Sequence, residues 1–461
     1  QAEDGIRDGI VRLVGSEMCI RDRMWDAMAY DPELNLMYVG VGNGSPWNRR
    51  LRSPGGGDNL FLSSIVALDP DDGSYKWHYQ GTPGDHWDYT ATQSLILADL
   101  ELDGATKKVI MQAPKNGFFF VIDRTNGEFI SAQNFVDVNW ATGYDDNGRP
   151  MEISEAEYKS SAYEAIPGPY GAHNWHPMSY SPNTGLVYIP AQNIPMVIED
   201  DPNWVANSTA SGGLQSGTGW NTGILPSFVP VKSATFGLLL AWDPVKQKAA
   251  WKVDHIGPFN GGTLSTAGNL VFQGTADGRF VAFNATNGDQ LWEAQVGTGV
   301  IAAPVTYEVD GKQYVSIAAG WGGTYGLTAH HSESQSPGRI FTFALNSNTP
   351  MPEFITTAPK PILSGIAYKP EDIALGAKLY LSHCVVCHGV PAVENGGAIP
   401  NLGYSDKVKI ENLKNFILTD ALKELGMPNF SGKLTEDEVT KIQAFIQGTA
   451  DAVSAQLAAS K

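Results

Sequence analysis

The sequence predicts a mainly β chain, a propeller of four-stranded sheets followed by a smaller all-α domain. Three observations predict it. Short β-rich runs separated by turn residues fill the chain from Met24 to about Asn346, where long helical periodicity is absent. One strand–turn–strand template repeats within that stretch at roughly blade-length intervals. Beyond a proline-rich connector, the apolar period changes to about 3.6 residues.

The β-rich runs include Leu36–Val41, Val109–Met111, Phe118–Ile122, Leu186–Ile189, Leu270–Gln273 and Tyr314–Ala318. The template is carried by Ala67-Leu68-Asp69 with Gly73 and Trp77, Ala241-Trp242-Asp243 with Trp251, and Ala282-Phe283-Asn284 with Gly288 and Trp292. In each, the Asp or Asn stands two residues after Ala and eight before Trp. Val121-Ile122-Asp123 with Gly127 keeps the turn and lacks the indole. Such a segment ends a strand in an Asx-type turn, uses Gly for positive φ, and docks the next strand's Trp on a neighbouring sheet. A β-sandwich is the competing architecture. About 320 residues hold about six blades at most.

Residues 1–23, with Cys19, interrupt every apolar stretch with charge and share nothing with the pattern that starts at Met24. They lack the basic and apolar regions of a signal peptide and read as a foreign extension, the true N-terminus being absent. The β region is placed at 24–346 and a stiff linker with Pro350, Pro352, Pro359, Pro361 and Pro370 at 347–370. The helical domain is placed at 371–461. Ile373, Ala377 and Tyr380 share a face of a helix over Glu371–Leu381, and Thr435-Glu436-Asp437-Glu438 is a capping box opening a helix with Val439, Ile442, Phe445 and Ile446 inward.

With 31 Lys+Arg against 49 Asp+Glu, the net charge of −18 argues against nucleic acid and anionic lipid as partners. No apolar run reaches the roughly 18 residues of a transmembrane segment. The chain has three cysteines, too few for a disulfide scaffold.

Two of them make the strongest motif. Cys384-Val385-Val386-Cys387-His388 is C-x-x-C-H, two thiols for thioether bonds to haem vinyl groups and a His for the iron. A redox dithiol is the rival for any C-x-x-C, and zinc would need two further ligands. Met427, in Gly426-Met427-Pro428 and 39 residues after His388, is the candidate second axial ligand of the haem iron.

Over its whole length this domain resembles class I c-type cytochromes, including Pro400-Asn401-Leu402, similar to a loop that packs on the haem in that family. The β region resembles the quinoprotein alcohol dehydrogenases that use pyrroloquinoline quinone (PQQ). The matching runs include Trp25-Asp26-Ala27-Met28-Ala29-Tyr30-Asp31-Pro32, Gly40-Val41-Gly42-Asn43-Gly44-Ser45-Pro46-Trp47 and Thr82-Pro83-Gly84-Asp85-His86-Trp87-Asp88-Tyr89. They continue through Ala113-Pro114-Lys115-Asn116-Gly117 and Gly171-Ala172-His173-Asn174-Trp175-His176-Pro177. The fused cytochrome narrows the resemblance to the quinohaemoprotein alcohol dehydrogenases.

That resemblance implies roles position by position. Trp25 would stack under the quinone, and Asn43 would give an oxygen to Ca²⁺. Asp88 would lie beside the calcium as general base, and Lys115 would donate to the quinone oxygens. Asn174 and Trp175 would line the cofactor, with Trp321 in Gly320-Trp321-Gly322-Gly323 at its rim. The position two residues after the base, an extra Asp in lanthanide-using relatives, is Thr90 here, which favours calcium. The implied reaction oxidises an alcohol to an aldehyde by hydride transfer to Ca-bound PQQ. Electrons then pass through haem c to an external acceptor, whether a cytochrome, a blue-copper protein or a quinone.

Family propellers have eight blades, and their N-terminal portion supplies a calcium-ligating Glu and a vicinal disulfide. No Cys-Cys pair exists here. The expectation is therefore a partial eight-bladed β-propeller followed by an all-α class I cytochrome c domain, from an N-terminally truncated periplasmic enzyme. The alternatives are a non-catalytic electron-transfer cytochrome carried on a propeller scaffold, or an inactive fragment of the dehydrogenase.

Overall fold

A computed structural model describes residues 24–200, 222–227, 231–322, 326, 331–332, 336–354, 367–392, 399–405 and 410–459. The extension 1–23, part of the linker and Gly323 lie outside the described residues.

Four sheets of four strands and one of three follow each other along the described chain. The first blade consists of Met28–Asp31, Leu36–Gly40, Ser64–Leu68 and Tyr75–Gln80. Ile96–Leu102, Ala105–Gln112, Phe118–Asp123 and Phe129–Asn134 form the second. The third is Ser179–Ser181, Leu186–Asn193, Phe236–Asp243 and Lys248–His255. Thr263–Ser265, Leu270–Gly274, Arg279–Asn284 and Gln290–Gln295 make the fourth. Val305–Val309, Lys312–Ala319 and Arg339–Ala344 make the fifth. Strand order is sequential and antiparallel in each, and every β-rich run named above falls on one of these strands, Leu36–Val41 overrunning its strand by Val41 alone. The sandwich alternative fails on this order, because a sandwich would exchange strands between two sheets rather than complete each sheet before starting the next.

Two excursions leave the blades. A hairpin of Ala141–Tyr144 and Pro150–Glu152 follows the second blade, and a small sheet of Tyr163–Ala165, Met196–Asp200 and Ile224–Ser227 flanks the third.

The repeated template turns and docks its indole as expected, and it adds a bulge that the sequence does not show. Its Asx turn forms as expected: Gly73 donates to the Asp69 carbonyl (2.8 Å) and Asp71 N–H to Asp69 Oδ1 (3.0 Å). In addition, the register slips at the same point of each copy, at Ala67/Leu68, Val121/Ile122, Ala241/Trp242 and Ala282/Phe283. These bulges increase local twist. The indoles then dock on the next blade's turn. A Cβ at Gly127 or Gly288 would stand 2.6 Å from Cε3 of Trp77 or Trp251 respectively, so both positions need glycine for contact as well as for positive φ.

The core lies between sheets rather than within them. Tyr38, Ile65 and Trp77 of the first blade meet Ile110, Phe118, Phe120 and Ile122 of the second. Val109, Phe119 and Val121 meet Val187, Ile189 and Leu240 of the third. Leu239 and Ala241 pack on Val271 and Phe283, and Phe280 on Ile317 and Phe341. A buried ion pair adds to the first of these interfaces. Arg124 reaches Asp31 (2.6 Å) and Asp99 (2.8 Å), while Tyr38 donates to the Arg124 carbonyl (2.8 Å). Exposed apolar side chains gather on the two end blades, at Met28 and Tyr30 on the first and at Val305, Tyr307, Val309 and Ile340 on the fifth.

The C-terminal domain is helical, with Pro370–His383, Val385–His388, Leu413–Leu418 and Glu436–Ala459. Pro370 opens the first helix, where its missing N–H costs nothing. The capping box forms reciprocally, Thr435 N–H to Glu438 Oε2 (2.8 Å) and Glu438 N–H to Thr435 Oγ1 (3.3 Å). Tyr380, Ile410, Leu413, Ile417, Leu434, Val439, Ile442 and Ile446 form its core.

Candidate cofactor sites

In a blade whose strands run up and down in order, the connection after the second strand and the connection to the next blade leave at the same end. Asn43 follows the second strand of the first blade, and Asp88 lies between the first and second blades. Lys115 follows the second strand of the second blade, and Asn174 and Trp175 precede the third. Trp25 precedes the first strand of all, and Trp321 follows the second strand of the fifth blade. Seven residues spread over about 300 positions of sequence thus belong to one end of the stack.

Backbone hydrogen bonds join these connections. Ala91 N–H donates to the Val41 carbonyl (3.0 Å), Ala172 to Lys115 (2.9 Å), Val300 to Thr275 (3.0 Å) and Gly320 to Gly299 (3.1 Å).

The closest contact among the candidates is between Asp88 and Lys115. Lys115 Nζ lies 2.9 Å from Asp88 Oδ2 and 3.1 Å from its carbonyl, with only 9% and 15% of the two side chains exposed. Asp88 holds φ at 67°, a left-handed conformation unusual for a non-glycine residue. Gly171 presses its backbone on the lysine stem, since a Cβ there would be 2.4 Å from Lys115 Cγ. That approach brings in Asn174, which is buried with Nδ2 donating to the Tyr170 carbonyl (2.8 Å) and Oδ1 accepting from Trp175 N–H (2.9 Å). The Trp175 ring stacks on His176 with centroids 4.2 Å apart.

The remaining candidates stand further out. Asn43 spends Nδ2 on the Gly44 carbonyl (3.3 Å), which leaves Oδ1 as its polar end for a cation. Trp25 is 48% exposed, and Trp321 meets His331 edge to face at 5.9 Å. Two residues beside the pair were not singled out from sequence, although both sit near the quoted runs. Asp85 is fully buried, and burial, reinforced by the charge of Asp88, pushes its carboxyl up to about 7 against the opposing pull of Arg52. Arg52 is itself buried and hydrogen-bonded to the Asp85 carbonyl (2.5 Å).

The donor set suits the groups that the sequence implies. Asn43 and Asp88 offer the oxygen donors a hard cation takes, and Lys115, Asn174 and the indoles offer donors and flat faces to a planar anionic quinone. At the other site, Cys384 and Cys387 are free. Burial pushes the Cys384 thiol up to about 12 and also raises Cys387, whereas a redox dithiol needs a depressed thiol. His388 engages the Pro400 carbonyl through Nδ1 (2.8 Å), which fixes the ring and leaves Nε2 as the nitrogen that could take a metal. Among the described residues no three His, Cys, Asp or Glu side chains converge. Met427 packs on the core cluster that also takes in Cys384, Val385 and Leu402.

Comparison with known proteins fits both halves. The family described as "Glucose/ethanol/alcohol dehydrogenase, beta-propeller domain" matches residues 18–139 and 155–315. The chain belongs to this dehydrogenase propeller family. The gap between the two matched stretches covers the hairpin that leaves the blades after the second one. "Cytochrome C oxidase, cbb3-type, subunit III" matches residues 371–446. The "Quinohemoprotein alcohol dehydrogenase" of Comamonas testosteroni is 60% identical over 430 residues, 93% of this chain and 61% of that protein. The "1-butanol dehydrogenase (cytochrome c)" of Thauera butanivorans is 59% identical over 409 residues, 89% of this chain and 59% of that protein. The crystal structure of the Comamonas protein superposes with a TM-score of 0.88, over 93% of this chain and 63% of that one. The chain spans about 60% of the length of the curated relatives it matches. Among the described residues, no helix is long and apolar enough to cross a membrane.

Proposed function

We propose that the chain carries the reaction centre and electron outlet of a quinohaemoprotein alcohol dehydrogenase, oxidising alcohols to aldehydes. The observation that carries this reading is the Asp88–Lys115 pair, largely buried at the connection end of a dehydrogenase propeller whose chain continues into C-x-x-C-H. Bound PQQ with Ca²⁺ supplies the hydride acceptor, and covalent haem c supplies a one-electron relay to an external acceptor.

The chain's own residues do the rest. Asp88 Oδ2 would receive the hydroxyl proton of the alcohol, and Lys115, which holds that carboxylate in place, would offer its cation to the bound quinone. Asn43 and Asp88 give oxygens to the calcium, with Trp25 as the floor of the pocket, Asn174 and Trp175 as its wall, and Trp321 at its rim. Cys384 and Cys387 would anchor the haem, and His388 and Met427 would ligate its iron. Covalent haem attachment places the working protein in an export compartment, which we take to be the periplasm.

The test is reduction of the haem by alcohol. The chain is loaded with PQQ and Ca²⁺ and given 1-butanol, the alcohol in the name of the Thauera relative. Reduced-haem absorbance that depends on alcohol, quinone and calcium together is expected. A haem that dithionite reduces but no alcohol does would leave the electron-carrier reading in its place.

A further inference from the structure

We propose that Arg52 and Asp85 are positioning residues for the candidate quinone–calcium centre, fixing the loop that bears Asp88 against the loop that bears Asn43. This rests on the function proposed above.

Asp85 clamps the Asp88 turn from inside. Its Oδ1 accepts the N–H of Trp87 (3.1 Å) and of Tyr89 (2.9 Å), the two residues flanking Asp88. Bonds on both sides of one residue sustain the left-handed φ that a non-glycine residue adopts only when its surroundings impose it. In that conformation, both the carboxylate and the carbonyl of Asp88 meet Lys115. The other oxygen of Asp85, Oδ2, is buried with no hydrogen-bond partner, a cost that a residue serving only the turn would avoid.

Arg52 ties this turn to the neighbouring loop. One guanidinium nitrogen donates to the Asp85 carbonyl (2.5 Å), and another to the carbonyls of Pro46 (2.6 Å) and Trp47 (2.9 Å). Nε donates to Asn59 Oδ1 (3.0 Å). The planar fork fixes the directions of these bonds, which a lysine could not reproduce. Its stem crosses directly over Gly44, where a Cβ would stand 2.8 Å from Arg52 Cδ, and Gly44 is the residue next to Asn43. A single buried side chain therefore spaces the calcium-facing amide from the proton-accepting carboxylate.

Hydrogen–deuterium exchange on the whole chain, read by mass spectrometry, tests the clamp without any cofactor. In Asp85→Ala and in Arg52→Gln, residues 84–90 should exchange on the order of tenfold faster, with strand Phe118–Asp123 unchanged. Asp85→Asn keeps an accepting oxygen and should stay within about twofold of wild type. If Arg52→Gln does not fold, Arg52→Lys carries the same expectation. Wild-type exchange in 84–90 for the Arg52 variant, or equal acceleration in the strand, overturns the proposal. Calorimetric titration with Ca²⁺ alone separates it from the reading beneath it. On the order of tenfold weaker uptake by Asp85→Ala and Arg52→Gln is expected. Equal uptake by both variants and wild type overturns the positioning role, whereas no uptake by wild type overturns the calcium centre itself.

Discussion

The two halves of this chain build their sites in opposite ways. In the helical domain, five consecutive residues supply both thiols and one proposed iron ligand, so most of the candidate site is set by local sequence. In the propeller, candidates from Trp25 to Trp321 share one end only because successive blades stack with their connections there. The cores differ in the same way. The helical core closes around a few helices close in sequence, while each propeller core lies between two sheets and depends on both. Damage to the haem motif should therefore stay local, and damage at a blade interface should spread.

The largest effect is expected at the haem motif. Replacing Cys384 and Cys387 together by Ala should abolish covalent haem, seen as loss of haem staining on a denaturing gel. The melting of the propeller should be unchanged. A propeller that melts earlier would show the halves to be coupled.

Next in size is Asp88→Asn, which should lower alcohol turnover by on the order of 10²–10⁴ while haem content stays constant. Retained turnover would remove Asp88 as the proton acceptor.

Asp31→Asn tests the spread of damage across a blade interface, because it leaves Arg124 buried without its closest carboxylate. Denaturant unfolding should show a loss of roughly 3 kcal/mol. The pH dependence sharpens this test. Burial would raise the Asp31 carboxyl, but hydrogen bonds from Arg124 and from the N–H groups of Glu33 and Leu34 outweigh it and hold the group below its ordinary value. A depressed carboxyl contributes its stability above the unfolded value of about 4 and loses it as pH falls through the folded one. Asp31→Asn should flatten that acid limb of the stability profile.

The smallest effect is expected at the capping box. Thr435→Ala should cost about 1 kcal/mol in the helical domain alone, measured by its melting. An equal change in the propeller would contradict the separation of the halves.

Much of this molecule was legible because its signals are local. Strand runs, the Asx turns, the capping box and C-x-x-C-H each lie within about ten residues, and the structure has them where the pattern puts them. The bulge shared by four templates was not legible, because a bulge is a relation between two strands and leaves no residue signature of its own. Nor was the role of Gly127 and Gly288 as seats for the preceding blade's indole, since nothing in either turn points to a Trp so far back in the chain. Asp85 and Arg52 were hidden for a similar reason. An Asp in a Gly-rich run reads as a turn residue, and only burial and the bonds converging on it mark it as more.

By itself the sequence determined the haem-binding pentapeptide, the division into β and α regions and the strand–turn repeat, because each follows from chemistry between near neighbours. The tertiary structure decided which distant side chains share a site. It alone brings Lys115 to the Asp88 carboxylate and lays Arg52 across both loops, because those distances are set by how the blades stack and not by spacing along the chain.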